Sequence, residues 1–380
     1  MRRRDFLTAA SLGLPGSVRA ASRRWRAAII GHTGHGNYGH SWEATFKPFP
    51  NVEVVALADA NEAGRAKAIQ VSGAKKGYAD YREMLRAERP DIVAVCPRHL
   101  DERVPMVSAV AAAGAHMLLE KPFAASLEDA DAMVAAAEKN KVRIQVGHTH
   151  RVTAVTRRAV LMIRDGAIGK VLEIRARGKE DKRAGGEDLL VLGTHCFDVM
   201  RWIAGDPISC FAILTGEAPK PAESIGRVAG REVAAMYEFP GGVIGHFASK
   251  PSDVTSGDRF GVTVYGSRGA VWLPLGGTPN EDGWIVQAPD WRDPWRKIET
   301  PASERMTTRE QLNAAMARDL MEAVEQGREP ACGARDGLWT IEMVMAVYQS
   351  HKLRAPVRFP LTARKHPLAA SSFRRTTRPA

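Results

Sequence analysis

Three groups of residues in this 380-residue chain have the types and spacing for chemistry. The first is a run of glycines, Gly31, Gly34, Gly36 and Gly39, whose last three set the pattern G-x-G-x-x-G around His35, Asn37 and Tyr38. A turn that presses backbone N–H groups against a pyrophosphate needs residues without a Cβ, and a helix starting there adds its positive end. Asp59 stands 20 residues beyond Gly39, the spacing at which a carboxylate accepts from a ribose hydroxyl. Ala60 and Asn61 follow it with no arginine, which favours NAD over NADP, because a 2′-phosphate would meet a carboxylate. The second group is Glu120-Lys121-Pro122. A lysine beside a cationic pyridine ring is pushed toward its neutral form and serves as a base. Pro122 fixes the chain direction there and admits a cis bond. Taken alone, such a Glu-Lys pair is ordinarily a solvated surface pair. The third group is His195 with Asp198 three residues on, a helical spacing at which the acid either orients the imidazole or stands on the helix surface.

These residues need elements to hold them. Ala27–Ile30 reads as a buried parallel strand ending at Gly31, and Val52–Ala58 as a second strand ending at Asp59. Helical stretches at 62–70, 81–86, 102–113 and 127–139 alternate with apolar runs at 92–96, 116–119 and 143–146. That alternation predicts a doubly wound parallel sheet over residues 26–148. Pro97 and Glu120-Lys121 then fall at carboxyl ends of strands, the edge where open α/β sheets bind ligands. From 149 to 362 the grammar changes. A helix at 156–165 precedes strands at 171–177, 208–215, 232–239, 243–249, 260–265 and 270–273, with glycine-rich hairpin turns between them. This predicts an α+β domain with a large, open, mostly antiparallel sheet, followed by amphipathic helices at 308–326 and 337–351. Trp284, Trp291 and Trp295 lie in an irregular stretch, 276–305, fit either to stack on sugar rings or to pack as a loop.

Composition excludes other classes. The formal charge of +11 suggests a nucleic-acid partner until it is located. Residues 1–26 carry seven arginines against Asp5, and residues 364–380 carry five cations, so the two ends hold the whole excess and the body is neutral. A basic groove for nucleic acid is not expected. No apolar run approaches the ~20 residues of a membrane span. Cys96, Cys196, Cys210 and Cys332 lack zinc spacing and read as buried thiols; His148, His150 and His246 read as structural, and no metal site is expected. Arg3-Arg4 before Asp5-Phe6-Leu7, a weakly apolar stretch and Val18-Arg19-Ala20 resemble a twin-arginine export signal over residues 1–21. The expected location is therefore periplasmic or exported, or cytoplasmic if that signal does not operate. A basic tail is expected over 363–380.

The glycine turn, Asp59, Glu120-Lys121-Pro122 and Gly193-Thr194-His195-Cys196-Phe197-Asp198 with Arg201-Trp202 resemble the glucose–fructose oxidoreductase / inositol dehydrogenase / MocA (Gfo/Idh/MocA) family over residues 26–362. The resemblance implies an N-terminal Rossmann domain and hydride transfer between a sugar or cyclitol hydroxyl and a tightly held NAD. It implies that Lys121 and His195 are catalytic, and that Gly31, Gly34, Gly36, Asn37, Tyr38, Gly39, Asp59, Pro97, Glu120 and Lys121 line the cofactor. By position it brings Arg151 near the substrate, and Lys179, Asp181 and His195 belong to the same expected substrate set. The sequence departs from the family at Val191, where members usually carry an aspartate four residues before the histidine. Glu187, Asp188 or Asp198 then replaces that acid or orients the imidazole, or Lys121 and His195 work alone. Two further readings stay open: a redox-neutral enzyme that retains NAD and cleaves or epimerises a glycoside, and a sugar- or nucleotide-binding homologue without catalysis. Export of a folded protein with its cofactor suits hydride transfer between two sugars or the first of these. The open sheet leaves one face needing cover, so a homo-oligomer, dimer or tetramer, is expected.

Overall fold

The computed structural model describes residues 23–217, 225–251, 260–275, 282–287 and 294–369. The export-signal segment 1–21, Trp291 and the tail from 370 lie outside the described residues. Apolar runs and capped helices alternate along the first part of the chain: β1 (Trp25–Ile30), β2 (Val52–Ala58), α1 (Glu62–Ser72), β3 (Lys76–Tyr78), α2 (Tyr81–Glu88), β4 (Ile92–Val95), α3 (Arg103–Ala112), β5 (His116–Leu119), α4 (Leu127–Lys139) and β6 (Ile144–Val146). The side chains of Asn61, Asp80 and Ser126 cap α1, α2 and α4 by accepting from backbone N–H groups in the first turn. The six strands pair in parallel in the order β3-β2-β1-β4-β5-β6. This is the doubly wound Rossmann order, with β1 and β4 flanking the point where strand order reverses.

The chain continues through α5 (Ala154–Arg164), β7 (Val171–Arg177), α6 (Gly186–Val191), α7 (Gly193–Ala204), β8 (Ser209–Thr215), β9 (Glu232–Glu238), β10 (Ile244–Ser249), β11 (Gly261–Gly266), β12 (Gly269–Pro274), β13 (Trp284–Val286), β14 (Arg296–Lys297), α8 (Arg309–Glu325), α9 (Ala334–Leu353) and β15 (Val357–Arg358). Nine strands form one sheet in the order β14-β13-β12-β11-β7-β10-β9-β8-β15, in which β7 and β10 run parallel and the other pairs antiparallel. Burial alternates along β8 and β9, so one face packs on helices and the other is open.

Two expectations need correction. The helix expected after the glycine loop is a single 3₁₀ turn, Trp42–Ala44. Ser41 enters it in a left-handed conformation, Pro48 and Pro50 follow, and Trp42, Phe46 and Phe49 collapse onto the sheet as an irregular layer. The helix that covers that face is α8, whose Met316, Ala317 and Leu320 pack with Ala27, Ile29, Leu57 and Ala94. The basic tail begins later than residue 363: Arg364 is docked, its guanidinium bridging Asp131 (2.6 and 2.7 Å) and Glu342 (3.1 Å).

Candidate active site

The glycine loop lies at the carboxyl ends of β1 and β4. Gly34, Gly36, Asn37 and Gly39 all have positive φ. At Gly36 a Cβ would lie 2.5 Å from the Arg98 nitrogen, so the backbone there needs glycine on both counts. At Gly31 it would lie 2.1 Å from the Tyr38 ring, which fills that space. The Asp59 carboxylate is buried and accepts from Thr33 N (3.0 Å), Thr33 Oγ1 (2.6 Å), Tyr38 Oη (2.7 Å) and Asn61 N (2.9 Å). It thus stands beside the loop as expected, but with its oxygens engaged by protein donors.

Next along the sheet edge, β5 delivers Glu120 and Lys121, and the Lys121–Pro122 peptide is cis. Arg103, which sequence reasoning did not single out, ties this corner down from α3. It donates to the carbonyls of Glu120, Pro122 (3.1 Å) and Pro97 (2.6 Å). Glu120 accepts from its neighbour Lys121 N (3.0 Å) and pairs with His40, the residue directly after Gly39. Burial raises the Glu120 carboxyl, but His40, Lys121 and Arg103 outweigh it and hold it at about 2. The base of the cofactor region therefore carries a fixed carboxylate.

Lys121 crosses to the second domain. Its buried Nζ donates to the carbonyl oxygen of Val191 at 3.0 Å, the last residue of α6. The position where the family carries an acid thus offers Lys121 a neutral peptide oxygen. Burial pulls the ammonium down to about 8 against the pull of Glu120, and Arg183, Arg98 and Arg309 push the same way as burial. His195 sits in the first turn of α7, buried, with the His148 and His150 rings each 5.2 Å away. Burial, then Lys121 and the neighbouring imidazoles, push His195 well below its ordinary value. Burial likewise takes His148 and His150 to about 4. Two histidines expected to be structural therefore share the space of His195.

The expected acids go elsewhere. Asp188 is buried and accepts from Lys179 N (3.1 Å), Glu180 N (3.0 Å) and Ser249 Oγ (2.6 Å), so it fastens the 179–180 loop to β10. Glu187 is raised by burial against Arg183. Asp198 does not bond His195; it takes a two-pronged pair from Arg151, Nε at 2.7 Å and an NH2 at 2.8 Å. Arg151 also lies 3.5 Å from Asp336 and over the Trp202 ring, so its guanidinium is bound within the protein. Asp181 pairs with Arg183 (2.5 Å), and Lys179 stands half-exposed beside it at 3.8 Å. His246 pairs with Glu173 on the open sheet face. His148, Asp198 and Cys332 also converge, a clustering that sequence spacing did not reveal. Arg151 already occupies both Asp198 oxygens, so the three donors form a hydrogen-bonded network whose charge is balanced. The tryptophans lie apart: Trp272, Trp284 and Trp295 with Thr263 and Tyr265 line a cleft of about 310 Å³ on the open face of the nine-stranded sheet.

Two family models cover this architecture. The Gfo/Idh/MocA oxidoreductase model with an NAD-binding Rossmann fold matches residues 25–148, and the oxidoreductase C-terminal alpha/beta domain of the same family matches 161–359. The chain belongs to this family. Among Gfo/Idh/MocA proteins it is similar to the D-apiose dehydrogenase of Paraburkholderia graminis, with 28% identity over 352 residues, 86% of this chain and 88% of that one. Levoglucosan dehydrogenase in complex with NADH and levoglucosan superposes with a TM-score of 0.75 at 21% identity, covering 89% of this chain and all of the other. An aldose-aldose oxidoreductase from Caulobacter crescentus, complexed with glycerol, superposes at 0.72 and 21% identity over 88% of this chain and all of the other. At such identity the two superpositions speak for the fold alone. Among the described residues no helix is long and apolar enough to cross a membrane.

Proposed function

We propose that this protein oxidises a secondary hydroxyl of a sugar or cyclitol, with NAD held on the first domain and the proton taken by Lys121. The observation that carries the reading is the Lys121 amine, buried between two domains at the carboxyl edge of the six-stranded sheet, on a neutral acceptor and beside His195. The residues present fit a dinucleotide: Gly34, Gly36, Asn37 and Gly39 turn a bare loop against the strand ends, Asp59 stands for the ribose, and Pro97 and Glu120 complete the floor. When bound, the nicotinamide supplies the hydride acceptor. The chain's residues do the rest. Lys121, drawn toward neutrality by burial, accepts the hydroxyl proton, with neutral His195 beside it as the alternative acceptor. Asp59 favours NAD over NADP.

The export signal proposed for residues 1–21 suits an enzyme that carries its cofactor with it and returns each hydride, as in transfer between two sugars. Replacing Arg3 and Arg4 by lysine should then retain the protein in the cytoplasm. Two copies pair through the open face of the nine-stranded sheet, where Ile213, Met236 and Trp295 are 42–44% exposed; this supports a dimer or a pair of dimers. The deciding experiment is mass spectrometry of whatever co-purifies, followed by absorbance of the bound cofactor during addition of D-apiose, levoglucosan and myo-inositol. Stable reduction supports simple dehydrogenation, and product without net reduction supports the hydride-returning reading. A protein that carries no nucleotide and gains no stability from NAD or NADP would overturn both.

A further inference from the structure

Two ring nitrogens at the centre of the site have no hydrogen-bond partner although both are buried: Nε2 of His148 and Nδ1 of His195. A buried polar atom without a partner is costly, so two of them side by side call for an explanation. Their rings are neighbours, with centroids 5.2 Å apart and planes at 68°. Two imidazoles joined by one N–H···N bond have centroids roughly 5 Å apart, the bond length plus two ring radii. In the structure the two nitrogens do not point at each other. A half-turn of the His195 ring about its Cβ–Cγ bond exchanges nitrogen and carbon without changing the ring's outline, whereas the same turn of His148 would break its contact with Cys332.

The other end of His148 is already fixed. Its Nδ1 lies 3.5 Å from the Cys332 sulfur, and that thiol lies 3.7 Å from Asp198 Oδ1. A thiol has one proton, and a carboxylate accepts it more strongly than a neutral imidazole does. With the thiol proton on Asp198, His148 Nδ1 carries its own proton toward the sulfur and Nε2 is left as a lone pair. That lone pair is the complement of a protonated Nδ1 on His195, which in turn leaves His195 Nε2 as an acceptor.

We propose that His148 is the residue that positions His195, accepting its Nδ1 proton through a chain Asp198–Cys332–His148–His195. In this way Asp198 orients the catalytic imidazole at a distance, and the missing acid at Val191 is compensated from the opposite side. The inference rests on the proposed role of His195 for its consequence in turnover, but the bond itself is measurable without turnover.

The test is proton NMR of the full chain, free of substrate, with nitrogen-15 in the histidine rings, alongside steady-state kinetics of His148→Phe, His148→Gln and Cys332→Ala. The expected result is a strongly downfield imidazole N–H resonance in the wild type that is absent in His148→Phe. His148→Gln, whose amide oxygen reaches the same place, retains such a proton. Cys332→Ala retains it in part, because the tautomer of His148 is then no longer enforced. In turnover of the best polyol, kcat falls about 100-fold in His148→Phe with KM little changed, and His148→Gln recovers most of it. A merely structural role for His148 would lower stability and leave the resonance in place. An unaltered resonance in a folded His148→Phe, or its absence from the wild type, overturns the proposal. If the resonance behaves as expected and no polyol is oxidised, the functional reading fails while the positioning bond stands.

Discussion

Exchanging Val191 for aspartate introduces the acid that the family resemblance places four residues before His195 and tests whether Lys121 is the base. Lys121 Nζ now donates to a peptide oxygen 3.0 Å away, and burial holds its ammonium at about 8. A carboxylate about 5 Å from Nζ, in surroundings of effective dielectric about 20, attracts the ammonium by about 3 kcal/mol, or roughly two pKa units. Desolvating the new carboxylate removes part of this, leaving a rise of roughly one to two units. A base must be neutral to act. At pH 7 roughly a tenth of the wild-type lysine is neutral, and a rise of two units would cut that to roughly a thousandth. The acid limb of kcat/KM for the polyol, measured at saturating NAD, should therefore move to higher pH by one to two units, with activity recovering above about pH 10. Val191→Asn has the same shape without the charge and should leave the limb in place. If Val191→Asp binds NADH normally and its pH profile overlays the wild type, the amine is not the group that takes the proton.

The remaining perturbations read other parts of the same network. Lys121→Met removes an ammonium whose pKa is lower in the folded state, about 8, than in the unfolded chain, 10.5. The wild type carries the full penalty below about pH 8 and loses it as pH rises toward 10.5, so the variant should be more stable at pH 7, by up to about 3 kcal/mol, with melting curves converging near the upper end. Tyr38→Phe removes the donor 2.7 Å from Asp59 Oδ2, which keeps Thr33 Oγ1 (2.6 Å) and Thr33 N (3.0 Å); NADH titrated by fluorescence should bind about five-fold more tightly, and unchanged or weaker binding would show that the hydroxyl does not compete with ribose. Asp198→Asn leaves the Arg151 guanidinium buried with a weakened partner and should cost about 3–5 kcal/mol in urea unfolding, whereas Arg151→Met with Asp198→Leu should regain much of it.

The two-layer organisation was legible because strand and helix periods are local. The runs at 52–58, 116–119 and 171–177 are strands with those bounds, and Leu127–Lys139 is a helix with its Ser126 cap. Lys121 and His195 were visible as chemistry because each stands next to a pattern, a strand end or a Gly-Thr-His turn. Three things were hidden. Trp42, Phe46 and Phe49 pack as an irregular layer because a helix from residue 309 onward covers the rest of that face, and no local pattern reveals such a long-range substitution. The partners of Asp198 are Arg151 and Cys332, far away in sequence, so the spacing from His195 pointed to the wrong imidazole contact. His148 and His150 looked like core residues because only the docking of α7 on the turn at Thr149–Arg151 brings His195 against them. His40 alone left a signal that went unused, a titratable residue directly after the last glycine of the loop.

The same long-range covering explains why cofactor loop and substrate groups are held as one unit. The glycine loop leads into no helix of its own, so its backing comes from α8, through Met316, Ala317 and Leu320, in the same cluster as Tyr38. Each such buried side chain contributes about 1.5–3 kcal/mol, more than any exposed ion pair on the same surface. From α8 the chain passes Cys332, whose nitrogen donates to Gln145 and whose carbonyl accepts from Val146, before entering α9. This short connection is bonded to β6 of the first domain and at the same time touches His148 and Asp198. A shift of the second domain against the first would therefore strain the Lys121–Val191 bond and the Cys332 contacts together. The amine and the imidazole belong to different domains, and it is the returning C-terminal segment, not the sheet that carries either one, that fixes the distance between them.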